Sequence, residues 1–175
     1  MRLFISVNFD ETTKDNILAI QSRLKQITQG NFCRRENFHL TLAFLGEMDN
    51  NQLKTVCRVM DNIGVGDINL EFTDIGCFRR DGGDIWWLGI AHNPQLIALQ
   101  KDLAARLTSA GLLAENRRFS PHITLCRQAK SPLSSQQRGS LLKEKFSCTA
   151  SHISLMSSQR IDGILTYKER YRIPR

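Results

Sequence analysis

Two short segments of the chain repeat one pattern, a histidine followed two residues later by a threonine. The copies are His39-Leu40-Thr41-Leu42 and His122-Ile123-Thr124-Leu125, and both lie within apolar, β-prone sequence. Side chains at positions i and i+2 of a strand point to the same face, so each imidazole shares its face with a hydroxyl group. The aliphatic residues between them would face the core. The sequence therefore predicts two strands that each present one His–Thr pair.

Two imidazoles that meet across a cleft could carry out acid–base catalysis, because histidine titrates near neutral pH. Hydrolysis of a phosphodiester needs one group to take a proton from water and another to give a proton to the departing oxygen. In-line displacement puts these two events on opposite sides of the phosphorus atom. The hydroxyl groups of Thr41 and Thr124 could donate hydrogen bonds to the non-bridging oxygens. This scheme needs no metal ion, and the symmetric motifs do not tell which histidine is the donor.

A zinc site is the chemical alternative for the two histidines. Strict strand alternation puts Cys126 on the same face as His122, where its thiolate could be a third ligand. Neither motif has an Asp or Glu at ligand spacing, however, and a buried cysteine more often serves as a small core residue. We therefore predict no metal site and keep the His/Cys zinc site as the alternative.

The composition restricts the class of protein. The chain has 175 residues, 41% of them hydrophobic, and 24 Lys and Arg against 17 Asp and Glu, a net charge of +7. This excess of positive charge favours an anionic partner such as nucleic acid. Five dispersed cysteines without C-x-x-C spacing indicate a reducing compartment. The sequence contains no signal peptide, no apolar run long enough to span a membrane and no glycine-rich ATP-binding loop, so we expect a cytoplasmic protein that does not use ATP.

The segments around the motifs predict a mixed set of strands and helices. Strands are predicted over seven ranges: 2–8, 37–45, 67–78, 84–91, 121–126, 146–157 and 161–168. Helices are predicted to begin at a capping box formed by Thr12 and Asp15, near Asp49, and at Asn93-Pro94. The polar stretch 128–140 is predicted to be a loop. Strands interleaved with helices, some in hairpins, indicate an α+β fold.

The sequence resembles the two-histidine (2H) phosphoesterase superfamily, in particular its bacterial RNA 2′,3′-cyclic phosphodiesterase branch, once described as 2′-5′ RNA ligases. The resemblance rests on four segments in the family's order: Arg2-Leu3-Phe4-Ile5, 37–47 (NFHLTLAFLGE), 85–90 (IWWLGI) and 116–127 (NRRFSPHITLCR). It implies that residues 1–175 form a single domain of two intertwined lobes. Each lobe would be an antiparallel sheet with helices on its outer face, related by a pseudo-two-fold repeat across a central cleft.

The resemblance also implies a role for each candidate residue. His39 would be the proton donor to the leaving 3′-oxygen and His122 the proton acceptor that activates water, which leaves an RNA end with a 2′-phosphate. Thr41 and Thr124 would bind the phosphate. The family often has an arginine where Arg127 stands, near the substrate phosphate. Strict alternation puts Arg127 on the face opposite His122, so this position requires a strand end or a bulge.

The expected substrate is RNA with a 2′,3′-cyclic phosphate end, and the expected protein is a monomer without a cofactor. Reversal of the reaction would join RNA ends through a 2′-5′ linkage. The motifs also fit hydrolysis of 2′-5′ oligonucleotides or of ADP-ribose cyclic phosphate. A non-catalytic RNA-binding module is the third hypothesis, although binding alone would not require both a donor and an acceptor.

Several aromatic and basic residues near the motifs have a less specific pattern. Phe44 and Phe119 are predicted to be packing residues, and one of the consecutive Trp86 and Trp87 is predicted to face the core. Three basic doublets could border the cleft and contact RNA backbone, the alternative being ordinary solvated charge. The doublets are Arg34-Arg35, Arg79-Arg80 and Arg117-Arg118.

Overall fold

The computed structural model describes residues 1–113 and 118–174. Their elements, in chain order, are β1 (Arg2–Asn8), α1 (Glu11–Lys25), β2 (Asn31–Phe32), a 3-10 turn (Arg35–Asn37), β3 (His39–Glu47), α2 (Asn50–Asp61), β4 (Ile68–Phe78), β5 (Asp84–Ile90), α3 (Pro94–Ser109), β6 (His122–Ala129), α4 (Ser135–Leu141), β7 (Phe146–Ala150), β8 (Ile153–Ile161) and β9 (Ile164–Ile173). None of the helices in these ranges is both long and apolar enough to cross a bilayer.

The strands form two antiparallel sheets, one for each histidine motif. The first sheet has the order β3-β1-β8-β9, with the His39 strand at its edge. The second has the order β2-β6-β5-β4-β7 and contains the His122 strand. The two motif strands, β3 and β6, are in contact with each other. The predicted α+β class with two antiparallel sheets is confirmed.

The helices cross between the sheets. Helix α1 follows β1 of the first sheet, but it contacts α4, and α4 packs on β4 of the second sheet. Helix α3 follows β5 of the second sheet, but it contacts β3 of the first sheet and α2, which packs on β9. Helix α1 thus leads from the first sheet to the second, and helix α3 leads from the second sheet to the first. These two crossings link the two halves of the fold.

Both motif strands contain a β-bulge at the same position, the leucine that follows the threonine. On β3, Leu42 has no partner between the β1 residues Ile5 and Ser6. On β6, Leu125 is likewise unmatched, because Cys126 pairs with one β5 residue and Thr124 pairs with the next. One extra residue reverses the alternation of side chains beyond it. The strict alternation assumed from the sequence therefore predicts the correct face up to each threonine and the wrong face beyond it.

A glutamine from a crossing helix binds the carbonyl oxygen of each bulged leucine. Gln21 on α1 is 1% exposed, and its Nε2 donates hydrogen bonds to the carbonyl oxygens of Leu125 at 2.8 Å and Cys33 at 2.7 Å. Gln100 on α3 donates from Nε2 to the carbonyl oxygen of Leu42 at 3.3 Å. Buried backbone carbonyls need such partners. The two bulges are thus held by side chains that cross from one half of the fold to the other.

The predicted N-terminal capping box of α1 is wrong. Asp10 caps this helix instead, because its side chain accepts a hydrogen bond from the Thr13 backbone N–H at 2.7 Å. The predicted starts of the next two helices are correct, since Asp49 caps α2 and Asn93 caps α3. Asp10 precedes the apolar periodicity by several residues, so the periodicity did not reveal it.

The predicted loop 128–140 is also wrong in part, because α4 begins within it. Ser134 and Gln137 form a reciprocal capping box, with hydrogen bonds of 2.9 and 3.1 Å, and Leu141 is buried. The helix has too few apolar residues to show a helical period. The sequence also predicted two C-terminal strands where the structure has three, since the chain breaks between β7 and β8 and turns again at Asp162-Gly163. The two-residue β2 was not predicted.

Replacing Gln21 with methionine is expected to lower the free energy of unfolding by about 1–2 kcal/mol, because the carbonyl of Cys33 loses a buried partner and that of Leu125 loses one of two. Methionine keeps the volume and the helix propensity. Urea denaturation would measure the loss. Gln26→Met at the exposed end of α1 is the matched control, expected to stay within about 0.5 kcal/mol of wild type. Equal stability of the two variants would contradict this role for Gln21.

Candidate active site

The His39 imidazole is fixed on both nitrogens at the start of β3. Its Nδ1 lies 2.7 Å from the carbonyl oxygen of Asn37, and its Nε2 lies 3.0 Å from Oγ1 of Thr41. A carbonyl can only accept, so Nδ1 carries the hydrogen and the neutral ring accepts the Thr41 hydroxyl proton at Nε2. The ring packs against Phe4 at 4.8 Å and edge-on against Tyr167 at 5.2 Å between centroids.

The His122 imidazole has the equivalent arrangement at the start of β6. Its Nδ1 donates to the carbonyl oxygen of Ser120 at 2.7 Å, two residues before it, as in the first motif. The ring contacts Phe78 edge-on at 5.0 Å and Trp87 at 6.1 Å between centroids. In both motifs the backbone therefore selects one tautomer, and it leaves Nε2 as the nitrogen that can exchange a proton with a substrate.

Two glycines provide the space that Trp87 occupies beside His122. A Cβ atom at Gly76 would lie 2.0 Å from the Trp87 indole ring, and one at Gly89 would lie 3.0 Å from it. The indole therefore lies directly over backbone of β4 and β5. Trp86 points to the other face and is 1% exposed, which confirms that one of the two tryptophans belongs to the core.

A cleft of about 660 Å³ contains three of the predicted site residues, His39, Thr124 and Arg127. Thr41 and His122 are not part of its lining, although Thr41 is hydrogen-bonded to His39. The charge on His122 nevertheless lowers the pKa of His39, so the two imidazoles lie within electrostatic range of each other. The two motif strands are in contact, and His122 shares its face of β6 with Thr124, which lines the cleft.

The bulge at Leu125 explains how Arg127 reaches this cleft. With the alternation reversed after Thr124, Arg127 falls on the face of the His–Thr pair, and its side chain lines the cleft. The same reversal turns Cys126 to the opposite face, where it is fully buried and pairs with Trp86. The predicted position of Cys126 beside His122 is therefore wrong, and so is the zinc alternative built on it. No group of three His, Cys, Asp or Glu side chains within the described ranges is arranged to hold a metal ion.

Burial lowers the pKa of both histidines. For His39 the pKa falls to about 4, mainly because of burial and further because of the charges on Arg127 and His122, while the Asn37 carbonyl acts in the opposite direction. Burial is also the largest cause for His122, followed by the raising effect of the Ser120 carbonyl and the lowering effect of Arg127. Both imidazoles are therefore neutral at pH 7 in the free protein.

The residues that flank the motifs depart from the sequence predictions. Phe44 was predicted to be a packing residue, but it is 55% exposed, because the bulge at Leu42 turns it onto the face of His39. Phe119 is half-buried and packs against the core, as predicted.

The basic doublets divide between the cleft and the rest of the surface. Arg34 and Arg80 line the cleft. Arg35 instead makes ion pairs on α1, with Glu11 and Asp15. Arg117 lies outside the described residues.

Sequence reasoning missed the contribution of the β8–β9 hairpin to the cleft. Arg160, Leu165 and Tyr167 of this hairpin are among the lining residues. The side chain of Asn37 fixes the hairpin by donating a hydrogen bond to the carbonyl oxygen of Leu165 at 2.9 Å, while its own carbonyl orients His39. No motif marks these residues. Only the pairing of β8 with β1 brings them beside the first motif.

The fold and this site define a class of protein. The family model described as LigT-like phosphoesterase matches the chain twice, over residues 7–87 and 88–166. Each match contains one of the two histidine motifs. These ranges cover more than half of the chain. The chain belongs to the LigT-like phosphoesterase family.

Individual members of this family have similar sequences and structures. The chain is 31% identical to an Escherichia coli protein named RNA 2′,3′-cyclic phosphodiesterase over 129 residues, 73% of this chain and 72% of that protein. A protein of the same name from Methanocaldococcus jannaschii is 30% identical over 73% of this chain and 71% of its own length. The crystal structure of E. coli LigT complexed with 3′-AMP superposes with a TM-score of 0.84 at 28% identity, covering 98% of this chain and 95% of that one.

The low pKa of His39 predicts a pH-dependent loss of stability. The unfolded chain binds a proton at this residue near pH 6.5 and the native protein only near pH 4, so acidification between these values favours unfolding. Relative to His39→Asn, wild type is expected to lose about 2–3 kcal/mol of unfolding free energy over this interval. Denaturant titrations at pH 7 and pH 4 would measure the difference. An equal change in unfolding free energy between pH 7 and pH 4 for the two proteins would contradict a buried neutral His39.

Gly76→Ala is expected to displace the Trp87 indole and with it the His122 ring, since the new Cβ would lie 2.0 Å from the indole. The imidazole NMR signals of His122 should shift, while those of His39, which contacts Phe4 and Tyr167, should stay in place. Gly64→Ala is the matched control, because a Cβ there meets nothing within 4 Å. Unchanged His122 signals in folded Gly76→Ala protein would show that Trp87 does not position this ring.

Proposed function

We propose that this protein hydrolyses the 2′,3′-cyclic phosphodiester end of RNA to a 2′-phosphomonoester, with His39 and His122 as metal-independent acid and base. One observation carries the proposal: two strands in contact with each other each hold an imidazole in the same fixed tautomer, and His39, Thr124 and Arg127 from these strands line one cleft. The names of the relatives, RNA 2′,3′-cyclic phosphodiesterase, support this substrate class.

His122 is suited to accept a proton. Burial lowers the pKa of its ring, so Nε2 has a free lone pair at neutral pH. The Ser120 carbonyl holds Nδ1–H and stabilises the positive charge that the ring gains when it takes a proton from water. The water oxygen then forms the new bond to phosphorus as the proton moves to Nε2.

His39 must bind a proton before it can donate one. Its pKa of about 4 in the free protein is set by burial and by the charges of Arg127 and His122. A bound phosphodiester carries a negative charge, which opposes the charge of Arg127 and raises the pKa of His39. Protonated Nε2 then donates to the 3′-oxygen as the bond between phosphorus and this oxygen breaks. The Thr41 hydroxyl, no longer needed as a donor to Nε2, becomes available to a phosphate oxygen.

Thr124 and Arg127 are the groups that bind the non-bridging oxygens in this proposal. Both line the cleft, and the bulge at Leu125 puts them on one face of β6 despite their odd spacing. A guanidinium can pair with two phosphate oxygens, and a hydroxyl donates one further hydrogen bond. Negative charge that develops on these oxygens is therefore met by fixed donors.

The same site limits the other hypotheses. Ligation through a 2′-5′ bond is the reverse of this reaction and uses the same groups, but water favours hydrolysis. A binding module without catalysis would not need two histidines held in identical tautomers. Hydrolysis of 2′-5′ oligonucleotides or of ADP-ribose cyclic phosphate stays an alternative, since it would use the same acid and base.

The proposal also includes the molecular context of the reaction. Residues 1–175 act as one domain, which the helices that cross between the sheets support. The protein works as a cytoplasmic monomer without cofactor or ATP. All five cysteines are free thiols, as expected for a reducing compartment.

The test is turnover of a short RNA with a 2′,3′-cyclic phosphate end in the presence of EDTA. Wild type should form a 2′-phosphate end with a bell-shaped pH dependence, and His39→Ala and His122→Ala should lower kcat by about 10²–10⁴. His152→Ala is the matched control, because His152 also has a hydroxyl residue two positions later but does not line the cleft. No conversion by wild type, or full activity of both variants, would refute the proposed function.

A further inference from the structure

The cleft contains more positive charge than a single phosphodiester requires. Its lining includes four arginines, Arg34, Arg80, Arg127 and Arg160, and no Asp or Glu among the described residues. Arg34 pairs with Glu36 at 3.1 Å. The other three form no ion pair with any carboxylate in the part of the chain that the structure describes.

Outside the cleft, four arginines have carboxylate partners, whereas others in the described ranges, such as Arg23, Arg58 and Arg138, form no ion pair. The paired ones are Arg35, Arg79, Arg106 and Arg172. The chain has 17 acidic residues, so carboxylates are not scarce. What distinguishes the cleft is that three unpaired arginines lie together in a lining that contains no Asp or Glu among the described residues. A cleft with this arrangement attracts polyanions.

Two of these arginines stand on hairpins that come from opposite sheets. Arg80 lies in the connection between β4 and β5, with Gly82 and Gly83 of the same connection also lining the cleft. Arg160 lies near the end of β8, where the chain turns back into β9. The two hairpins therefore flank the cleft, one from each half of the fold.

Each of the two guanidinium groups is held by its own hairpin. Nη1 of Arg80 donates to the carbonyl oxygen of Arg79 at 3.0 Å, and Nη1 of Arg160 donates to that of Gly163 at 2.9 Å. A guanidinium has five N–H donors, so most of them stay available. The β8–β9 turn is itself tight, with positive φ angles at Asp162 and Gly163. Both arginines are thus preoriented by backbone and can bind an anion.

We infer that Arg80 and Arg160 bind the phosphates of the nucleotides that precede the reacting end, so that the preferred substrate is an oligonucleotide and not a nucleoside 2′,3′-cyclic phosphate. This inference rests on the proposed function. The cyclic phosphodiester has a single negative charge, which Arg127 beside the histidines balances. Each preceding nucleotide adds one phosphate and one charge, which match the two additional arginines.

The experiment compares two substrates, a pentanucleotide with a 2′,3′-cyclic phosphate end and adenosine 2′,3′-cyclic phosphate. The quantity measured is the ratio of their kcat/KM values. Wild type should favour the pentanucleotide, and Arg80→Gln and Arg160→Gln should each lower the ratio about fivefold. Each variant should also make the salt dependence of pentanucleotide kcat/KM shallower, by about 0.7 in the logarithmic slope. Arg58 is an exposed residue of α2, and Arg58→Gln removes the same charge. This control should leave the kcat/KM ratio and the salt dependence unchanged.

Several outcomes would overturn the inference. In the first, wild type has the same kcat/KM for the two substrates. In the second, Arg80→Gln and Arg160→Gln lower kcat/KM equally for both substrates. In the third, Arg58→Gln lowers the kcat/KM ratio as much as the other two variants do. Anisotropy with a labelled pentanucleotide separates this inference from the proposed function. If wild type has no turnover but Arg80→Gln and Arg160→Gln bind this RNA more weakly than Arg58→Gln, the arginine site stands and the proposed function fails. Affinity that is unchanged in all variants would refute the arginine site.

Discussion

The site depends on one local constraint, the extra residue that follows the threonine in each motif strand. Without the bulges at Leu42 and Leu125, the residues beyond each His–Thr pair would alternate strictly and Arg127 would point away from the histidines. A bulge leaves backbone groups outside the ladder, and both leucine carbonyls receive a hydrogen bond from a glutamine side chain, Gln100 and Gln21. Because each glutamine belongs to a helix that has crossed from the other sheet, the geometry of each motif depends on the whole fold.

The electrostatics of the cleft follow from the same placement. Arg127 lowers the pKa of both histidines, in addition to the larger effect of burial. A cleft without carboxylates gives this charge no internal counterpart, so an anionic substrate becomes the missing partner. The proposed mechanism couples substrate binding to protonation of His39, since one negative charge would compensate the arginine and favour a positive imidazole. In the proposed mechanism, burial and the positive charge of Arg127 together keep His39 uncharged until an anionic substrate is bound.

Much of the fold was predictable because its signals are local. Apolar, β-prone segments marked β1, β3 and β6, and caps at Asp49 and Asn93 marked the starts of α2 and α3. The failures share a cause, which is that the deciding interaction has no periodic signature. Helix α4 is stabilised by a capping box and one buried leucine, so its polar sequence appeared to be a loop. The exposure of Phe44 and the position of Cys126 on the face opposite His122 both follow from bulges that propensities do not reveal.

The amino-acid sequence by itself determined the pairing of each histidine with a threonine, because side chains two positions apart on a strand must share a face. It also determined that the chain contains this arrangement twice. Only the tertiary structure decided how the halves meet, which imidazole nitrogen is available, and that Arg80, Arg160 and Tyr167 border the same cleft. The physical reason is that strand alternation is a property of a few consecutive residues. Sheet pairing, burial and the pKa of a histidine instead depend on segments that are far apart in the chain.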